Sequence, residues 1–160
     1  MIGLGVVLAV AAIVGFVAWR HTEKETASGE ALSNAAADQM VAGPAGQAGA
    51  ANVYLKVAEK YPGSAAGARA LLMAGGSLFE EGKYDQAKSL FERFPREYSD
   101  SPLTGEALLG IAACLEAQGK IPEATTAYKT LYERHPNDSV VPQANQGLFL
   151  VRFIPRPKLV

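Results

Sequence analysis

Residues able to do chemistry are few in this chain and lie far apart. Histidine and cysteine are common metal ligands and catalytic groups, and the candidates are His21, His135 and the single cysteine, Cys114. Neither histidine has a second ligand at a metal-binding spacing. Cys114 stands among apolar residues of a predicted helix, where a thiol is more often a small core residue. We therefore predict neither a metal site nor a catalytic nucleophile.

Carboxylates and glycine–lysine pairs give no stronger evidence of a catalytic or phosphate-binding site. Glu80, Glu81 and Asp85 surround a predicted turn, which is typical of a solvated surface rather than of an acid–base pair. The Gly-Lys pairs at 82–83 and 119–120 are not followed by the serine or threonine of a phosphate-binding loop. We predict that the chain is not an enzyme, has no cofactor and binds no small-molecule substrate.

Composition favours helices and gives no reason to expect nucleic acid as a partner. The net charge is −1 over 160 residues, which gives no electrostatic case for binding nucleic acid. Alanine and glycine are abundant, and β-branched residues are sparse after the first segment, so helices are favoured over strands. The single cysteine excludes an internal disulfide.

The elements that would position a binding surface begin with an apolar segment. Ile2–Trp19 contains no charged residue and would rise ~27 Å as a helix, close to the roughly 30 Å hydrocarbon core of a bilayer. Trp19 would lie at the interface, followed by Arg20 and Lys24. We predict a transmembrane anchor over residues 1–21. The alternative, a cleaved signal peptide, would need a basic leader, a shorter apolar run and a small-x-small cleavage site.

Small residues on the predicted anchor suggest a contact within the membrane. Gly5, Ala9 and Ala12 share one helical face, and such faces let two helix backbones approach closely in lipid. Glycine and alanine are also simply common in membrane spans. We predict a helix–helix contact here, and therefore at least one membrane-protein partner.

A repeat of 37 residues follows the apolar segment, and it predicts two full helical pairs. The first unit has helices over 68–81 and 86–98, and the second over 105–118 and 123–135. Gly82 and Gly119 stand where each first helix should end in a left-handed residue. The spacing is carried by Ala50/Ala87/Ala124, Tyr54/Phe91/Tyr128, Tyr61/Tyr98/His135 and Ala70/Ala107/Ala144.

Incomplete units flank this pair. Segments 32–41 and 51–61 form a degenerate first unit, joined by a loop after Gly43-Pro44. Segment 138–153 begins a last helix that would cap the array. We predict an all-α fold in which an α-solenoid of about three helix pairs, residues 22–153, ends in a capping helix. Residues 154–160 form a proline-rich tail.

The repeat resembles the tetratricopeptide pattern, in which small residues let two helices pack closely and an aromatic residue fills the groove between units. The matching residues are Leu71, Gly75, Leu78, Gly82, Tyr84, Ala87 and Phe91 in the first full unit, and Leu108, Ala112, Leu115, Gly119, Ile121, Ala124, Tyr128 and Pro136 in the second.

The layout also resembles a bacterial family of ancillary Sec-translocon subunits with chaperone-like roles. The resemblance lies in residues 15–20, 27–31 and 61–65. It implies a single-pass inner-membrane protein whose repeats lie in the periplasm. The positive-inside rule, applied to Arg20 and Lys24 alone, would instead place the repeats in the cytoplasm.

The first helix of each unit should line a groove that binds a protein segment through shape and apolar contact. We predict a membrane-anchored interaction scaffold or chaperone-like accessory protein; the alternative is a permanent structural subunit of a larger membrane complex. An array this short could also cover its own groove. The predicted groove residues are Arg69, Leu72, Gly76 and Phe79, then Glu106, Leu109, Ala113 and Glu116, and then Gln143, Gln146 and Leu150.

Overall fold

The computed structural model describes residues 2–46, 49–136 and 139–153, and the side chains of these residues except 2–10, 21, 44–46 and 148–153. The described part is all-α. Its helices are α1 (Ile2–Gly46), α2 (Ala50–Lys60), α3 (Ala65–Glu80), α4 (Tyr84–Glu97), α5 (Thr104–Ala117), α6 (Ile121–Arg134) and α7 (Val141–Phe153).

The helices form a two-layered solenoid. Each helix packs against the next along the chain, and the odd-numbered helices also pack against one another in the order α1, α3, α5, α7. Within the described residues, no two of the even-numbered helices are in contact. The odd helices are therefore an inner layer and the even helices an outer layer. Three pairs and a capping helix confirm the predicted solenoid.

The turns inside the two full units have the same geometry. Gly82 has φ 73° and Gly119 has φ 72°, the left-handed conformation that glycine adopts without steric cost. The next residue closes each turn, because Lys83 N donates to Leu78 O at 2.8 Å and Lys120 N donates to Leu115 O at 2.9 Å. This confirms the predicted glycine turns.

The three outer helices also end with the same backbone geometry. Tyr61, Tyr98 and His135 follow α2, α4 and α6 with φ between −134° and −124° and ψ between 50° and 57°. Each backbone N–H donates to the carbonyl oxygen four residues earlier. The aromatic residue at this repeat position therefore ends the second helix of every unit.

The ring of Phe91 packs closely between glycines of two helices and so joins neighbouring units. A Cβ placed on Gly75 of α3, or on Gly110 of α5, would lie 2.7 Å from the ring of Phe91 in α4. Tyr128 in α6 is packed in the same way against Gly147 of α7, where a Cβ would lie 2.5 Å from its ring. The aromatic rings fill the grooves between units, as the repeat pattern predicted.

Helix α3 begins earlier than the sequence predicted. It starts at Ala65 rather than Ala68 because Ser64, which is fully buried, caps it: Ser64 Oγ accepts from Gly67 N at 3.0 Å. The predicted starts of α4 and α6 are late by two residues, because helical geometry resumes directly after Lys83 and Lys120, without a side-chain cap.

Helix α1 is one element across the predicted boundary at residue 21. Its described backbone is helical except at Gly43 (φ 57°, ψ −150°), so the chain breaks where Gly43-Pro44 predicted, although helical geometry resumes as far as Gly46. Among the residues whose side chains are described, no helix holds an apolar stretch long enough to cross a membrane. The predicted span extends over residues 2–10, whose side chains lie outside that part, and the predicted tail 154–160 also lies outside.

Candidate protein-binding surface

The predicted groove lies on the inner layer, and its apolar members are anchored in the core. Leu72 of α3 is partly buried and packs against the clusters on both sides of its helix. Leu109 of α5 is partly buried against the cluster that holds Tyr128 and Leu131. Both leucines are therefore held in place by the fold while part of each side chain stays accessible.

Two adjacent glycines of α3 show which face is open. A Cβ on Gly75 would collide with Phe91, whereas a Cβ on Gly76 would meet no atom within 4 Å. Gly76 is partly buried, and Ala113, at the equivalent position on α5, is partly buried as well. Beside Leu72 the surface therefore carries two small residues, and it is open at Gly76.

Two predicted groove residues are engaged within the protein. The ring centroids of Phe79 and Tyr84 lie 5.2 Å apart across the α3–α4 turn. Glu116 accepts a hydrogen bond of 2.7 Å from Tyr128 Oη, which ties α5 to α6. Both were predicted as groove residues, and each also contacts an outer helix, Phe79 through Tyr84 of α4 and Glu116 through Tyr128 of α6.

Four polar members of the predicted groove are exposed, and two of them carry opposite charges. Arg69, Glu106, Gln143 and Gln146 are all exposed, on α3, α5 and α7. The side chain of Leu150 lies outside the described part. With one cation and one anion among the exposed residues, the surface has no strong potential, and recognition there would depend on shape and apolar contact.

Gln39 of α1 occupies the repeat position of Gly76 in the first unit. It lies 37 residues before Gly76, and α1 packs beside α3 in the inner layer. Its Oε1 is buried, with no hydrogen-bond partner among the described residues. The predicted groove did not extend to α1 because the first unit lacks the glycine–lysine turn; the 37-residue period was the signal that could have extended it.

The thiol of Cys114 faces the interior of the protein. Cys114 is fully buried, and burial raises the pKa of its thiol to about 11, which makes it a poor nucleophile at neutral pH. Among the residues that the structure describes, no three histidine, cysteine or carboxylate side chains are grouped so as to hold a metal ion. His135 serves as the residue that ends α6, and the side chain of His21 lies outside the described part.

The predicted membrane-contact residues are only partly described. Ala12 is exposed on α1, and the side chains of Gly5 and Ala9 lie outside the described part. Around Ala12 the helix is exposed on all sides: Ile13 and Val14 are 62% and 61% exposed, and Trp19 is 57% exposed. Among the residues that the structure describes, none of the repeat array covers residues 11–20 of α1.

Paired helices joined by glycine turns, with an aromatic residue filling each gap between units, define a tetratricopeptide-type repeat protein, a class that serves as a scaffold for protein–protein interaction. Comparison with known families agrees with this architecture. The chain belongs to the tetratricopeptide repeat-like domain family, which matches residues 1–143.

A relative shares the repeat over part of the chain. A TPR repeat-containing protein of Treponema pallidum (strain Nichols) is 36% identical over 88 residues. The match covers 51% of this chain and 36% of that protein, so the chain spans about a third of its relative's length. The similarity supports the repeat fold and, through it, a protein partner.

Proposed function

We propose that the chain is a membrane-anchored scaffold that docks a protein segment on the inner layer of its repeats, in a chaperone-like or accessory role beside a larger bacterial inner-membrane complex. The open space beside Gly76 on the inner layer carries the proposal. A partner segment would lie across Leu72, Gly76 and Leu109, and apolar contact would supply most of its affinity.

The sequence of the first segment and the exposure of its apolar side chains support the membrane anchor. No charge interrupts Ile2–Trp19, and the described apolar residues of this segment, from Ile13 to Trp19, are exposed in the isolated chain. A contiguous exposed apolar surface of this kind marks a membrane or protein contact. Anchoring raises the local concentration of the repeats at the membrane, so modest affinity in the groove suffices. The proposal puts the repeats in the periplasm, following the resemblance at residues 15–20.

Site-specific photo-crosslinking in bacterial membranes tests the proposal. A photoreactive amino acid replaces Gly76 on the inner layer, where a Cβ would meet no atom within 4 Å. A matched probe replaces Lys129 on the outer helix α6, where the side chain is also exposed. Adducts are identified by mass spectrometry, and the cellular compartment of the adducts reports the orientation of the chain.

The pattern of adducts separates the roles. Many different polypeptides crosslinked at Gly76, with few at Lys129, would support a chaperone-like scaffold. One dominant membrane protein recovered in fixed ratio would favour the permanent structural subunit. Equal crosslinking at both positions, or none at Gly76, would contradict docking on the inner layer.

A further inference from the structure

Helix α1 connects the exposed apolar segment to the repeats without a break. Every residue from Ile2 to Ala42 is helical, and Gly43, the one non-helical residue within α1, lies beyond the part of the helix that packs in the array. That part is marked by Ser28 and Ala35, which are buried. A flexible tether between anchor and repeats would need a break before Ser28, and the described backbone has none.

A second contact fixes the repeats to α1 near its membrane side. Lys24 Nζ donates a hydrogen bond to the carbonyl oxygen of Pro62, and Glu25 Oε2 accepts one of 3.2 Å from the backbone N–H of Ala65. Pro62 lies in the connection between α2 and α3, and Ala65 is the first residue of α3. Consecutive residues of α1 therefore hold the α2–α3 loop, Tyr61–Ser64, beside the helix.

Helix geometry places this loop relative to the bilayer. Lys24 is five residues after Trp19, so it lies ~7.5 Å further along the helix axis. If Trp19 marks the edge of the hydrocarbon core, this rise is about the thickness of one headgroup layer, roughly 5–8 Å. Pro62 and Gly63 are exposed and lie at the level of Lys24.

We propose that α1 is a rigid post between the bilayer and the repeats, and that it holds the α2–α3 loop against the phospholipid headgroup layer. This inference depends on the membrane attachment proposed above. Charges at the contact balance, with Lys24 and Lys60 beside Glu25 and Glu59, so the position is set by the post rather than by attraction to anionic lipid. A partner would then meet the groove close to the membrane surface.

Depth measurements on the full chain in phosphatidylcholine vesicles test the post. A fluorophore is attached to Pro62→Cys in the α2–α3 loop or, as the matched control, to Lys120→Cys in the α5–α6 turn at the other end of the helices. Cys114 is buried and does not compete for the label. The vesicles carry lipids with a nitroxide headgroup, which quenches only nearby fluorophores. We expect severalfold stronger quenching at position 62 than at position 120.

A variant with a flexible hinge in α1 provides a second test of the rigid post. A flexible Gly/Ser insertion between Thr22 and Glu23 leaves the Lys24 and Glu25 contacts intact and frees the array from the anchor. Quenching at position 62 should then fall to the level at position 120, with the circular dichroism spectrum unchanged. Equal quenching at both positions without the insertion, or no effect of the insertion, would overturn the post.

Flotation separates this result from the proposed function. A chain that fails to float with the vesicles contradicts membrane attachment and the post together. A chain that floats but shows equal quenching at the two positions contradicts the post alone and leaves the anchored scaffold standing.

Discussion

The ring of Phe91 lies so close to Gly110 that a Cβ on that glycine would stand 2.7 Å from the ring carbons. Phe91 cannot move away, because Gly75 borders its other side and the side chain is buried. We expect Gly110→Ala to cost about 1–3 kcal/mol in the free energy of unfolding, as overpacked cores do. Urea unfolding followed by far-ultraviolet circular dichroism measures the loss.

Gly76→Ala is the matched control for this prediction. Gly76 also lies inside a helix, but its Cβ would meet no atom within 4 Å. Alanine should therefore stabilise the chain by up to about 1 kcal/mol through helix propensity alone. If both substitutions changed the free energy of unfolding alike, the Phe91 contact would not be what joins these units.

Locally encoded features of the fold could be predicted, and features set by pairing between helices could not. The turns at Gly82 and Gly119 follow from one residue type at one position, because only glycine takes a positive φ cheaply. Glu116 was placed in the groove by spacing, yet it binds Tyr128 because the rotation of α6 against α5 brings the hydroxyl within reach. Gly110 and Gly147 repeat at 37 residues, but their role appears only when the ring between units is seen.

Ser64 should be a structural residue of the α2–α3 connection. Its hydroxyl accepts from Gly67 N at 3.0 Å and donates to Tyr61 O at 2.8 Å, and the residue is buried. Replacing it with alanine leaves both backbone groups without this partner, so we expect Ser64→Ala to lower the free energy of unfolding by about 1–2 kcal/mol. The exposed Ser89 of α4 provides the control, because Ser89→Ala should leave stability unchanged or slightly raised in the same urea titration.

Cys114 should react slowly with thiol reagents while the chain is folded. Burial raises the pKa of its thiol from 9.0 to about 11, so at pH 8 the thiolate fraction falls on the order of 100-fold, and restricted access slows the reaction further. Ellman's reagent measures the rate with and without guanidinium. The exposed thiol of Pro62→Cys serves as the fast reference in the folded chain; a Cys114 that reacted as fast as this reference would place the thiol at the surface.

Ionisation of Tyr128 on unfolding should lower the free energy of unfolding at alkaline pH. Burial, and then its hydrogen bond to Glu116, raise the pKa of Tyr128 in the folded chain above the value of about 10 expected when unfolded. Because the folded pKa is the higher one, this contribution to stability is complete below pH ~10 and is lost as the pH rises through and beyond that value. The raised pKa of Cys114 acts in the same direction from pH ~9 upward.

Tyr128→Phe isolates the tyrosine's contribution. At pH 7 the variant should be less stable by about 1 kcal/mol, because Glu116 loses its hydrogen bond. By pH 11 this deficit should shrink by roughly 1 kcal/mol, since the variant has no phenol to ionise on unfolding. Tyr132→Phe, at an exposed tyrosine one turn later in α6, leaves the hydrogen bond between Tyr128 and Glu116 in place, so at pH 7 it should cost less stability than Tyr128→Phe does. A Tyr128→Phe deficit that did not change with pH would mean that the phenol ionises as readily in the folded chain as in the unfolded one.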